Sequence, residues 1–225
     1  MSKSEGPPTT GDHSGGEQKL SRASVQRFSL YLRHLERWNQ ESLQVVSSSQ
    51  LGDALGINDA QVRKDLAYLG NLGQPGIGYY TGELIAALRH RLGVDHTWSA
   101  VVIGVGNLAR ALLRYRGFTQ QGFQFVGLFD ADPQKIGQVV DGLVVHSPAE
   151  LPAVIAETKA ELAVVAVPAE KAQQVADTLV AAGIKGILNF APVMLKLPPD
   201  ISLVAVDLAV QLEQLAFLVH LSRHE

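Results

Sequence analysis

The sequence contains no cysteine, and only 18% of its 225 residues are charged. The absence of cysteine excludes disulfide scaffolds, thiolate metal sites and cysteine nucleophiles. No apolar run approaches the roughly 20 residues that a membrane-spanning helix needs. The polar first residues carry no charged-then-apolar export signal. We therefore expect a cytoplasmic protein without a membrane partner.

Histidine does not replace the missing thiolates as a source of metal ligands. The seven histidines show no paired spacing, whereas zinc sites are built from closely spaced ligands. No metal site is therefore expected. Apolar residues nevertheless make up 46% of the chain, which is enough to build a packed core.

Charge is divided unevenly along the chain. Residues 17–93 carry 9 Lys and Arg against 7 Asp and Glu, whereas residues 94–225 carry 9 against 13. The slight basic excess is compatible with nucleic-acid binding by the first part. Residues 1–17 are rich in Gly, Pro, Ser and Thr, and such a segment is expected to be a disordered tail.

Residues 18–93 predict a winged helix-turn-helix domain. The first helix follows Ser21, a serine at 47–49 caps a second that ends at Gly56, and Thr81 caps a fourth that stops at Gly93. The third helix, 58–69, starts at Asn58 with Gln61 completing a capping box. A glycine-dense hairpin separates the third helix from the fourth. The apolar stripe of the first helix consists of Val25, Phe28, Leu32 and Leu35.

The third predicted helix has a polar face opposite Val62, Leu66 and Leu69. Arginine and glutamine can read base edges in a major groove, and lysine suits phosphates. We therefore predict a DNA-binding surface on this helix, the start of the second helix and the hairpin. Its residues are Ser48, Gln61, Arg63, Lys64, Tyr68, Gln74 and Gly76.

Residues 94–206 have a different texture, in which short apolar strands alternate with helices. This alternation predicts βαβ units and a parallel sheet, so the fold class is α/β: a winged helix followed by a Rossmann-like domain. The first strand runs directly into a GxGxxA fingerprint at the start of a helix. The fingerprint consists of Gly104, Val105, Gly106, Asn107, Leu108 and Ala109.

Each small residue of the fingerprint has a physical role in binding a dinucleotide. Gly104 permits the tight turn, Gly106 lets the backbone approach a pyrophosphate, and Ala109 allows close packing of helix on strand. Asp130 ends the second strand 21 residues after Ala109, where an acid accepts hydrogen bonds from the adenosine ribose. Because no arginine directly follows Asp130, NAD(H) is favoured over NADP(H).

Hydride transfer is not the expected use of this site. No histidine is placed as an evident proton donor, and the sheet domain leaves no room for a separate substrate domain. We therefore expect a protein that holds the coenzyme without consuming it, and not an enzyme. The alternatives are a small NAD-dependent oxidoreductase with a helical appendage, and a CoA-binding or structural Rossmann subunit.

The last segment, 207–225, predicts a helix that is apolar on many sides. Leu208, Leu212, Leu215 and Val219 share one face, while Val210, Phe217, Leu218 and Leu221 broaden the apolar surface. Such a helix needs to be buried, and a partner subunit is the expected cover.

Motifs in both halves, in the same order, make the chain resemble the Rex family of bacterial redox-sensing transcriptional repressors. The resemblance covers about residues 19–220 and is carried by the segments 60–70, 76–80, 101–118, 129–137, 167–193 and 206–217. It implies a homodimer in which the last helix swaps between subunits. It also implies inverted-repeat operator DNA as the partner, with NADH releasing the DNA and NAD+ competing without releasing it.

The resemblance also implies roles for individual residues. The fingerprint would bind the pyrophosphate and Asp130 the ribose, whereas Tyr115, Asp207 and Arg33 would form a sensing switch. The segments near the nicotinamide would contribute Val167, Pro168, Asn189, Phe190, Ala191 and Pro192. One departure concerns the hairpin, because relatives carry basic residues where this chain has Gln74 and Pro75.

Overall fold

The computed structural model describes residues 20–223, so the predicted disordered tail 1–17 lies outside the described residues. The chain divides into two compact units, Met1–Asp95 and His96–Glu225. Each unit has its own hydrophobic core.

The first unit is a helical domain with a small antiparallel sheet. A 3₁₀ turn, Ala67–Leu69, follows the third helix, and the strands pair in the order β1-β3-β2. The elements are α1 (Arg22–Gln40), β1 (Val45–Val46), α2 (Ser48–Leu55), α3 (Asp59–Leu66), β2 (Gly73–Gln74), β3 (Gly78–Tyr80) and α4 (Thr81–Leu92).

Short-range signals fix the first two helices as expected. The Ser21 side chain caps α1 by accepting from the Ser24 N–H. Ser47 forms a full capping box with Gln50, and Gly56 ends α2 in the left-handed conformation at φ +65°. The predicted stripe on α1 is buried except for Val25, which is 40% exposed.

One predicted cap, Thr81, and one predicted capping box, Asn58 with Gln61, are wrong. Thr81 is the first residue of α4, Tyr80 is its N-cap without a side-chain bond, and the buried Thr81 hydroxyl has no hydrogen-bond partner among the described residues. Asn58 does cap α3, but Gln61 donates to Asp65 instead of completing a capping box.

The second unit is a sheet of seven strands with helices on both faces. Its strand order is β10-β9-β8-β4-β5-β7-β6, and every adjacent pair is parallel except β6 with β7. The strands are β4 (Trp98–Ile103), β5 (Phe123–Phe129), β6 (Val139–Val140), β7 (Leu143–His146), β8 (Leu162–Val165), β9 (Gly186–Asn189) and β10 (Ser202–Ala205). The helices are α5 (Asn107–Arg114), α6 (Gly117–Gln120), α7 (Leu151–Thr158), α8 (Ala169–Ala181) and α9 (Leu208–Ser222).

The central strand β4 separates two directions of chain travel. The chain moves from β4 to β5 by way of α5, and later returns to the other side of β4 at β8 by way of α7. In open parallel sheets, ligands bind at such a switch point, outside the carboxyl ends of the strands. The fold therefore places the β4–α5 loop where a ligand is expected.

The last helix buries none of its described side chains. All of its large apolar side chains are exposed, each by 41–66%. No helix within residues 20–223 has both the length and the hydropathy to cross a membrane.

Candidate functional site

A cavity of about 560 Å³ lies at the carboxyl ends of β4, β5 and β8. Five predicted coenzyme-binding residues line it: Gly104, Gly106, Asp130, Val167 and Pro168. Residues on α7 and α8 close its other side. Among the described lining residues, the ionisable side chains are Asp130, Lys135 and Lys171.

The two glycines of the loop serve different purposes. Gly104 has φ +91°, and a Cβ there would lie 2.4 Å from the Ala166 carbonyl oxygen, so it is required by the fold. A Cβ on Gly106 would meet no atom within 4 Å, and the φ of Gly106 is an ordinary −90°. The space beside Gly106 is therefore open to a ligand, not filled by protein.

The beginning of α5 suits an anion. Gly106 is the N-cap, and within residues 20–223 no side-chain hydrogen bond caps this helix. Uncapped N–H groups and the helix dipole together favour a phosphate at this end. Ala109 is fully buried, which lets α5 lie close to β4. Val105 is also buried, whereas Asn107 and Leu108 are exposed beside the loop.

Asp130 lies at the end of β5 and is only 8% exposed. Its carboxylate accepts from the Val105 N–H and from Lys135 Nζ, both at 2.8 Å. Burial opposes ionisation, but the Lys135 ammonium and the N–H groups of Asp132 and Val105 outweigh it and hold the pKa of Asp130 below its ordinary value. Asp130 is thus an ionised acceptor fixed beside the loop, as a ribose-binding acid needs to be.

Lys135 is a feature of the site that sequence reasoning missed. The prediction of NAD(H) over NADP(H) rests on the residues directly after Asp130, which include no arginine to bind a 2′-phosphate. In the structure Lys135 ion-pairs with Asp130 and lines the cavity, so the local charge is mixed. The position of Lys135 five residues further on gave no motif signal. The glycine loop, the uncapped helix and the ionised Asp130 together fit a dinucleotide.

The predicted nicotinamide-side segment after β9 does not line this cavity. Asn189 is buried, and its side chain donates to the Ala191 and Val193 carbonyls while accepting from the Ala191 N–H. Ala191 is buried, Phe190 half-buried and Pro192 exposed. The Asn189 amide therefore fixes the shape of the turn at the carboxyl end of β9.

The three predicted switch residues belong to different elements of the chain. Arg33 is exposed on α1. Tyr115 follows α5, is 59% exposed and packs edge-on against Phe118 at 5.3 Å between ring centres. Asp207 caps α9 through Oδ1, which accepts from the N–H groups of Ala209 and Val210. Sequence reasoning missed this capping role of Asp207.

A second concavity, of about 460 Å³, lies on the first unit between the start of α2, Arg63 in the middle of α3, and the β2–β3 hairpin. It brings together four predicted DNA-binding residues, namely Ser48, Arg63, Gln74 and Gly76. The hairpin turns at Pro75 and Gly76, with φ +77° at Gly76 and a bond from the Ile77 N–H to the Gln74 carbonyl. Proline followed by a left-handed glycine is the pattern of a type II turn.

Arg63 is exposed but already oriented within this concavity. Its Nη1 donates to Asp59 at 2.6 Å and to Ser48 Oγ at 3.3 Å. The bond from Arg63 holds the pKa of Asp59 below its ordinary value. Lys64 is also exposed, so a cation remains available for a phosphate.

Two residues of the predicted surface are placed differently from the prediction. The α-helix ends at Leu66, so Tyr68 lies in the 3₁₀ turn, where it is half-buried and packs against the core. The Gln61 amide donates to Asp65 at 2.8 Å, which draws it toward the interior. Both side chains contact the interior of the unit, although the helical period of the sequence places them on the polar face.

Asp65 is the centre of a buried polar cluster that sequence reasoning missed. It is 1% exposed and accepts from Arg27 Nε and Nη2 at 2.5 and 2.7 Å and from the Tyr31 hydroxyl at 2.8 Å. The cluster fastens α3 to α1 over a separation of more than 30 residues. Its members are far apart in sequence, so no local pattern announces it.

Within residues 20–223, no group of three or more histidine, aspartate or glutamate side chains is arranged to hold a metal ion. At the glycine loop an uncapped helix start lies beside an acid, and the separate concavity of the first unit carries Arg63.

Comparisons with known proteins assign relatives to both units. The profile of a family described as "Putative DNA-binding protein N-terminus" matches residues 19–67, and that of "CoA binding domain" matches residues 95–193. A redox-sensing transcriptional repressor Rex from Carboxydothermus hydrogenoformans is 45% identical over 88% of this chain and 96% of that protein. The corresponding repressor from Solidesulfovibrio magneticus is 39% identical over 92% of this chain and 94% of that protein.

Solved structures give the same result. A crystal structure of RSP in complex with β-NAD+ and operator DNA has a TM-score of 0.86 and 34% identity, covering 92% of this chain and 95% of that one. RSP in complex with β-NADH has a TM-score of 0.80 and 33% identity over 92% and 97% of the two chains. The expected fold class and resemblance are thereby confirmed. The chain belongs to the Rex family of redox-sensing transcriptional repressors.

Proposed function

We propose that this protein is a repressor that binds inverted-repeat operator DNA as a homodimer and releases it when NADH occupies the second unit. The observation that carries the proposal is the open space at Gly106 beside the ionised Asp130, in a chain whose first unit presents Arg63 and the hairpin around one concavity. The proposed place of action is the cytoplasm, where such DNA lies.

The coenzyme is proposed to be held by backbone and carboxylate, in the manner of dinucleotide-binding folds. The loop from Gly104 to Gly106 and the start of α5 receive the pyrophosphate. Asp130 accepts from the ribose hydroxyls, with Lys135 keeping it ionised. Val167 and Pro168 lie on the β8 side of the cavity. The turn after β9 that Asn189 fixes, with Phe190, Ala191 and Pro192, is proposed to lie near the nicotinamide, beyond the cavity lining described above.

The bound coenzyme supplies information through its redox state, and we propose that the protein does not catalyse hydride transfer. Asp130 and Lys135 bond to each other, so neither is an evident proton donor to a substrate. The sheet accounts for the second unit as far as residue 205.

Dimerisation is supported by α9. A helix with every large apolar side chain exposed costs free energy in water in proportion to that area. A second copy of the chain supplies the cover if the helices are exchanged, and two-fold symmetry then matches an inverted repeat.

The proposed switch uses Asp207, Tyr115 and Arg33. A carboxylate is stable near a cationic NAD+ ring or the Arg33 guanidinium, whereas beside neutral NADH the Tyr115 hydroxyl is the better partner. A ligand shifts a two-state equilibrium only through different affinities for the two states. The change of partner for Asp207 is the proposed source of that difference.

The test is operator binding measured with each coenzyme form. A duplex enriched by the protein from a random-sequence library is labelled, and its fluorescence anisotropy is followed with saturating NADH or NAD+. Release by NADH alone supports the proposal, and equal binding with both forms contradicts it. The protein is also incubated with NADH and a panel of aldehydes and ketones. Oxidation of NADH that depends on the protein would establish the oxidoreductase alternative instead.

A further inference from the structure

Asp59 is an acidic residue on a surface proposed to meet DNA. It is the first residue of α3, with a side chain 44% exposed. A negative charge there opposes the phosphate backbone, which dominates the affinity of proteins for DNA. An acid in this place therefore reduces overall affinity unless it contributes something else.

The geometry of Arg63 shows what Asp59 contributes. Both bonds made by Arg63 leave from Nη1, one to Asp59 at 2.6 Å and one to Ser48 Oγ at 3.3 Å. Nη1 carries two hydrogens, so both are used. Arg63 Nε and Nη2 donate to no acceptor within the described part of the chain.

The free donors form one edge of the guanidinium group. Arg27 uses the same edge to hold the Asp65 carboxylate, with Nε at 2.5 Å and Nη2 at 2.7 Å. Two parallel N–H donors match the O6 and N7 acceptors that guanine presents in the major groove. A phosphate, by contrast, accepts from any edge of the group.

We propose that Asp59 is a specificity-determining residue, which together with Ser48 holds Nη1 of Arg63 so that its Nε–Nη2 edge is presented to a guanine. The inference rests on the proposed DNA-binding function. It assigns to Asp59 a positioning role at a cost in overall affinity, because its charge weakens binding to every DNA sequence.

The pair is suited to this role and not to stabilising the fold. Asp59 and Arg63 have 44% and 55% of their side-chain surface exposed, and exposed pairs four residues apart on a helix add little to stability. The bond to Ser48 reaches α2, which an ordinary intrahelical pair does not require. An orientation fixed before binding lowers the entropy lost when the contact forms.

The experiment compares Asp59→Asn with Glu83→Gln. Glu83 is an exposed acid in the first turn of α4, so each variant removes one charge from the start of a helix in the same unit. Anisotropy titrations use the duplex enriched by the wild-type protein from a random-sequence library and a shuffled duplex of equal composition. Each guanine of the enriched duplex is also replaced by adenine in turn.

In Asp59→Asn we expect tighter binding to the shuffled duplex and a roughly tenfold smaller preference for the enriched one. One guanine-to-adenine replacement loses its penalty in the same variant. Glu83→Gln keeps the wild-type preference. In an Arg63→Ala background, Asp59→Asn changes the preference no further, because the two residues act through one contact.

Two results overturn the inference in distinguishable ways. If the wild-type protein enriches no sequence and shows no preference, the proposed function fails and the inference falls with it. If the wild-type protein discriminates and Asp59→Asn keeps the full preference and every guanine penalty, Asp59 does not position Arg63, while the proposed function stands.

Discussion

A single buried carboxylate, Asp65, connects α3 to α1 in the first unit. Asp65 is 1% exposed and accepts from Arg27, Tyr31 and Gln61. Burial opposes ionisation of Asp65, but hydrogen bonds from Arg27, then Tyr31 and Gln61, outweigh it and hold the pKa below the ordinary value. Burial and the bond to Asp65 also raise the pKa of Tyr31.

Asp65→Asn is expected to lower the free energy of unfolding of the first unit by about 2–3 kcal/mol, because it leaves the Arg27 guanidinium without its charged partner. Urea unfolding of the full chain measures this, with Trp38 as the reporter in a Trp98→Phe background. The exposed Asp53 supplies the control variant, Asp53→Asn, which changes stability little.

The same pair predicts a pH dependence. The folded-state pKa of Asp65 lies below its ordinary value, so its stabilisation is fully present above the unfolded-state pKa of about 3.9 and is lost as pH falls through the folded-state pKa. The difference between wild type and Asp65→Asn therefore shrinks below about pH 4. A difference that stays constant into that range would contradict the ion-pair account.

Asp207 has an observed role as the cap of α9 and a proposed role in the switch, and one substitution can separate them. Asparagine caps helices as well as aspartate does, so Asp207→Asn keeps the start of α9 while removing the charge. We expect this variant to bind operator DNA normally and to lose most of its release by NADH. Asp200→Asn, at an exposed acid in the same unit, is the control. Full NADH-induced release from Asp207→Asn would contradict the proposed switch.

In the β4–α5 loop, Gly104 is required by the fold, whereas Gly106 leaves space for a ligand. Gly106→Ala places a methyl group in open space at an ordinary φ, so thermal stability is expected to be unchanged. Calorimetry is expected to show NADH affinity reduced at least about tenfold, since this is where the pyrophosphate is proposed to approach the backbone. Gly104→Ala is expected to destabilise the unit by about 2 kcal/mol, because of its φ and the Ala166 carbonyl. Undiminished NADH binding by Gly106→Ala would exclude this loop as the pyrophosphate site.

Gln74 is one of the two hairpin positions at which the resemblance implies a basic residue in relatives. Gln74 is exposed, and the turn depends on Pro75 and Gly76, so Gln74→Arg leaves the fold intact. Operator affinity is expected to rise, with a slope of log affinity against log salt steeper by about 1. Anisotropy at several salt concentrations measures both. Unchanged affinity would mean that the hairpin does not enter the groove.

The sequence predicted correctly those elements whose start, end or type depends on neighbouring residues. The glycine fingerprint, the alternation of strands and helices, the Ser47 cap and the Gly56 stop depend on residues within one turn or one loop. The Gln61 contact, the half-buried Tyr68 and the Lys135 pair depend on what packs beside them after folding. The two-residue strand β6 and the four-residue helix α6 are too short for any period to reveal.

The whole molecule consists of two compact units, and the last helix of the second unit exposes all of its large apolar side chains. The second unit carries a cavity beside the glycine loop, and the first carries a concavity beside its third helix. A signal that passes between two such sites is a coupling free energy, and it must act equally in both directions. Operator DNA is therefore expected to weaken NADH binding by the same factor by which NADH weakens operator binding.

The most direct measurement is operator anisotropy at constant total coenzyme while the NADH:NAD+ ratio is varied. We expect the bound fraction of operator DNA to fall steadily as the NADH:NAD+ ratio rises, and NAD+ alone to leave the complex intact. A bound fraction independent of the ratio, with calorimetry confirming that both forms bind, would contradict the account.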